Sequence, residues 1–160
     1  MDTGSLVLGA GLAVVGGILG GVVMEWVKVQ WGQHRAKGFF LTLLGIELPL
    51  IIATLDELAD DYGKVGYFPL GTVGRLQVQR AGYDRNQNGL VLLEPPLRTE
   101  VITFYQRLAA VAQDLTGAEH LLIQKPDVKD YIDRKRAELL TTVRDVAGRG
   151  RGLVGHLPAK

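Results

Sequence analysis

The segment Asp84-Arg85-Asn86-Gln87-Asn88-Gly89 comes nearest to a chemical site. It reproduces the D-x-N-x-N-G opening of a calcium loop, in which side-chain oxygens at alternate positions face a hard cation and the glycine makes the turn. Position twelve of such a loop supplies a bidentate glutamate; here that position is Pro95, and Glu94 comes one residue early. Asp84, Asn86 and Asn88 therefore form an incomplete calcium motif, and a polar turn between helices accounts for the same residues. His34, His120 and His156 show no H-x-x-x-H or E-x-x-H spacing, so no local zinc pair is offered. Gly9-Ala10-Gly11 lacks the third glycine of a dinucleotide fingerprint, and Gly63-Lys64 lacks the preceding glycine of a phosphate loop. No G-x-S-x-G nucleophile elbow is present. The expectation is no catalytic residue, no metal and no cofactor.

Glu47 has two readings, depending on where its helix lies. Inside a membrane, a carboxylate marks proton or ion passage; inside a helical bundle it is a surface charge or a capping partner. Composition narrows the classes further. Lysine plus arginine total 18 against 17 acidic residues, a balance that argues against a nucleic-acid footprint. With no cysteine there is no disulfide framework and no thiolate chemistry.

The elements that must position these residues begin with an uncharged run, SLVLGAGLAVVGGILGGVVM, from Ser5 to Met24. As a helix it is about 30 Å long, the thickness of a bilayer's hydrocarbon core. A cleaved signal peptide would need a basic leader and a shorter apolar core, whereas the leader here is Met1-Asp2-Thr3. A transmembrane helix is expected. Basic residues lie only after it, at Lys28, Arg35 and Lys37, so the N-terminus is expected outside the inner (plasma) membrane and the bulk of the chain in the cytoplasm. Trp26, Lys28, Trp31, Arg35 and Lys37 form the expected membrane-interface set.

Glycine in a soluble helix costs roughly 1 kcal/mol against alanine, but inside membranes it permits close helix approach. Gly9, Ala13, Gly17 and Gly21 recur every four residues, with Gly16 and Gly20 alongside, giving one small-residue face. That face is the expected helix-packing site, against copies of the chain or against another membrane subunit.

Three later stretches carry the helical period. Leu41, Leu44, Leu48, Ile51, Leu55, Leu58 and Tyr62 form one seam, interrupted by Pro49 and followed by acidic residues that oppose the helix dipole. Residues 39–55 could alternatively form a second membrane crossing, at a cost of about 2.5–3.5 kcal/mol for Glu47. Leu97, Val101, Phe104, Leu108, Val111 and Leu115 form the next seam, entered at Pro95-Pro96 and expected to stop at Gly117. Val128, Ile132, Leu139, Val143 and Val146 form the last, from Pro126-Asp127 to Gly148, with Asp130–Arg134 and Arg134–Glu138 as expected surface pairs. Between them, Thr72 to Gly82 is ambiguous: Val73, Leu76 and Ala81 suit a short helix, whereas Leu76-Gln77-Val78-Gln79 alternates like a strand, and helix is preferred because a lone strand has nothing to pair with. The fold class expected is all-α, an anchor over 1–27, a cytoplasmic bundle of three to four helices over 28–148, and a flexible basic tail over 149–160.

The single N-terminal span, the basic junction, a glutamate at position 47 and the stretch LVLLEPPLRTEVITFYQRL resemble a broad set of uncharacterised bacterial proteins. Those are single-pass, membrane-tethered and small. The resemblance covers roughly residues 5 to 116 and implies a helical fold; the set has no established activity, so it implies no function. The sequence thus suggests a non-enzymatic accessory or scaffold subunit whose partners are membrane lipid and other membrane subunits or itself. A homo-oligomeric pore or transporter-like element with a second span at 39–55 is the alternative.

Overall fold

The computed structural model describes the backbone of residues 3–124 and 129–157, and the side chains of residues 31–121, 124 and 129–157. Among them the chain is helical and no strand occurs. The elements are α1 (Thr3–Val65), α2 (Leu70–Gln79), α3 (Ala81–Arg85), a 3₁₀ segment (Gln87–Leu92), α4 (Pro95–Gln124) and α5 (Lys129–His156). Two compact units result, Met1–Gly38 and Phe39–Lys160. One helix is long and apolar enough to cross a membrane: among the described residues, the stretch Trp31–Val65 of α1 meets that measure.

In the second unit, the seam of α1 supplies the core. Leu44, Leu48, Ile51, Leu55 and Leu58 are buried, and Leu41 and Tyr62 pack half-buried against them. Pro49 falls on the exposed side, so the helix passes through it where water can take the freed carbonyl. The acidic end of α1 is held by tertiary contacts, as the unfavourable dipole requires. Tyr62 stacks on Phe68 at 4.9 Å, Arg75 pairs with Glu57, and Arg151 donates to both oxygens of Asp56. Gly66, at φ +74°, ends the helix in the left-handed conformation, its N–H donating to Tyr62 O at 2.9 Å.

The stretch read as a short helix forms α2, burying Thr72, Val73 and Leu76. A one-turn α3 and the 3₁₀ segment then lead to α4, which opens at Pro95 as the two prolines dictate. Gly89 allows the 3₁₀ segment to lie on α1: a Cβ there would meet Phe40 Cγ at 2.4 Å.

Two expected helix ends are corrected. Helix α4 does not stop at Gly117 but runs to Gln124, because Ala118 and Glu119 beyond the glycine are buried. Nor does α5 stop at Gly148. It continues through RGRGLVGH to His156, so the basic segment expected to be loose is helical as far as that residue. The three glycines in that stretch cost about 1 kcal/mol each in propensity. Burial of Leu153, contact of Val154 and Leu157 with the core, and the Arg151–Asp56 pair offset that cost. Gly150 is the one among them that packing demands: its Cβ would lie 2.9 Å from both Ile52 Cγ1 and Phe104 Cε2.

Candidate functional site

The expected packing face, Gly9, Ala13, Gly16, Gly17, Gly20 and Gly21, and the interface residues Trp26 and Lys28 lie outside the residues whose side chains are described. Of the remaining interface residues, Trp31 and Arg35 are exposed and Lys37 is half-buried. The incomplete calcium motif is not brought together as a ligand set. Both Asp84 oxygens accept from Arg80, at 2.9 Å and 3.0 Å, and Asn86 turns its amide nitrogen to Gly82 O at 2.8 Å. Asn88 is exposed. Among the described residues no group of three potential metal ligands converges.

The structure assembles two buried polar clusters instead. In the first, Glu47 projects from the α1 seam to the start of α3. Gly82 N–H and Tyr83 N–H donate to its Oε1 at 3.1 Å and 3.2 Å, and Tyr105 OH donates to its Oε2 at 3.2 Å. The carboxylate is thus a capping partner supplied by another helix. Tyr83 and Tyr105 stack beside it at 3.7 Å. Burial raises the Glu47 pKa above its ordinary value, against the lowering effect of the three donors, and also raises Tyr105. A carboxylate whose two oxygens accept from α3 and from Tyr105 of α4 ties three helices together.

In the second cluster, Arg136 of α5 donates to both oxygens of Glu119 on α4, through Nε at 2.9 Å and through a terminal nitrogen. Phe68 N–H donates to the same Glu119 Oε1 at 3.2 Å, and Arg136 also reaches Asp133 at 3.3 Å. Both side chains are buried. The apolar period alone does not reveal this pair, yet the sequence carries a signal for it. Glu119 stands four residues beyond Leu115 in one seam, and Arg136 fills the gap between Ile132 and Leu139 in another. Neither expected surface pair, Asp130–Arg134 or Arg134–Glu138, forms: Arg134 Nε donates to the Asp130 backbone oxygen, Glu138 pairs with Lys135, and Lys129 joins Arg136 on Asp133.

A groove of about 580 Å³ lies between the start of α4 and the end of α5. Phe104 and Leu153 line it, with Glu100, Arg149 and His156 at its polar edge. His156 and Glu100 contact each other at 2.8 Å, and Arg149 Nε is engaged by Asp145 at 2.8 Å.

The geometry defines an all-helical protein with one helix long and apolar enough to cross a membrane. No protein-family model matches the chain, and no curated protein or solved structure is significantly similar to it.

Proposed function

We propose that this protein is a membrane-anchored accessory or scaffold subunit without catalytic activity of its own. In this reading the glycine-faced helix packs in the plasma membrane and the bundle presents an interaction surface in the cytoplasm. The observation that carries it is the uncharged run Ser5–Met24 lying within α1, the same element that enters the apolar core of the second unit. The engagement of Glu47, Glu119 and Arg136, the buried carboxylates and guanidinium among the described residues, in contacts that hold helices together supports it.

The alternative is a homo-oligomeric pore with a second span at 39–55. Much of the apolar surface of that stretch packs into the bundle core, and Glu47 within it is already satisfied by protein donors. Both features favour the first reading.

The test is the native mass of the tagged protein, gently solubilised from its own cells. A discrete assembly containing other subunits is expected, and Gly17→Leu with Gly21→Leu should dissociate it by removing close helix approach. A clean multiple of 17.4 kDa would shift the reading to self-assembly. Association unchanged by the two substitutions would overturn the packing role of the glycine face.

A further inference from the structure

Helix α1 carries a second apolar stripe on the side facing away from the core. Phe39, Ile46 and Leu50 are 61%, 56% and 52% exposed, and exposed Thr42, Pro49 and Ala53 complete the same face. Single exposed apolar residues are ordinary. Three large ones spaced by seven and four residues along about three turns form the pattern by which one helix receives another. The next position of the seven-residue series, after Phe39, Ile46 and Ala53, is Asp60. Its neighbours Asp56 and Glu57 are engaged by Arg151 and Arg75, whereas Asp60 is exposed and has no hydrogen bond or ion pair among the described residues.

We propose that this stripe is the docking surface for an amphipathic helix of another subunit, apolar along about four turns and bearing lysine or arginine opposite Asp60. The proposal rests on the accessory-subunit reading and names the chemistry of the partner. The stripe is about 22 Å long at 1.5 Å per residue, short of the roughly 30 Å of a hydrocarbon core, so a helix fits it better than a bilayer does. A second copy fits poorly. Copies anchored by the same span run parallel, and symmetric pairing sets Asp60 against Asp60.

The test places a photo-crosslinking amino acid at Ile46 or Leu50 of the full chain in its own cells, with exposed Val78 on α2 as the control position. Expected is an adduct from the α1 positions alone, joined to a peptide with an apolar helical face and flanking basic residues. Asp60→Lys should cut its yield by at least about threefold through charge reversal, at unchanged thermal stability. Adducts to a second copy or to lipid, no adduct, equal labelling from Val78, or a yield indifferent to Asp60→Lys would each overturn the proposal. The accessory reading is separately readable: the assembly seen by native mass survives if only the stripe has been misassigned.

Discussion

Glu47, Glu119 and Arg136 occupy positions where the helical period asks for leucine or valine, and each is buried with its partners supplied by other elements. For Glu47 the consequence is a defined pH dependence. Burial raises its folded pKa above the ordinary value near 4.5, so the folded state holds the proton more tightly than the unfolded chain. The linked stability is fully present below that ordinary value and is lost as pH rises through the raised one. Glu47→Gln keeps an oxygen for Gly82 and Tyr83 N–H and should remove this slope, visible as a flatter difference curve in urea unfolding between pH 4 and 7. Glu47→Ala leaves those donors unpaired and should cost about 1–3 kcal/mol at any pH in that range. Equal behaviour of the two variants would mean that the carboxylate does not cap α3.

Elements are joined in this protein by polar contacts as well as by apolar seams. The Glu119–Arg136 pair ties α4 to α5, and Glu119 also fixes the turn at Phe68. A buried pair gains little over an apolar replacement, but removing one partner strands the other charge. Arg136→Met alone should therefore destabilise by about 3–5 kcal/mol. Adding Glu119→Gln removes the stranded charge while keeping an acceptor for Phe68 N–H, and should recover most of that loss in a double-mutant cycle. Additive losses would show that the pair is not a unit. The same tertiary logic explains why α4 and α5 run past Gly117 and Gly148. A glycine disfavours a helix locally, but Ala118 and Leu153 beyond these positions are buried.

For the whole molecule, orientation is the decisive property. The basic residues after the uncharged run place the second unit in the cytoplasm in the proposed reading. A reporter active only in the cytoplasm, fused after Lys160, should be active in intact cells, whereas a second span at 39–55 would silence it. The all-helical class, the start of α4 and the core-facing seam of α1 were legible because each is a local pattern of apolar spacing or proline placement, whereas the local pattern after residue 70 suited helix and strand alike. The candidate site was far less legible. Asp84, Asn86 and Asn88 fit a ligand spacing, but the fold engages Asp84 with Arg80 and turns the amide of Asn86 inward to Gly82 O.

The sequence by itself determined which faces of the helices are apolar and where an uncharged run is long enough to cross a membrane, since both depend only on residue spacing along one segment. Tertiary structure alone decided that Glu47 caps α3 across 36 residues to Tyr83, that Glu119 meets Arg136, and that Gly150 must be small against Ile52 and Phe104. The physical reason is that desolvation, hydrogen-bond satisfaction and steric fit are properties of what surrounds a side chain, and the surroundings are set only when distant segments pack.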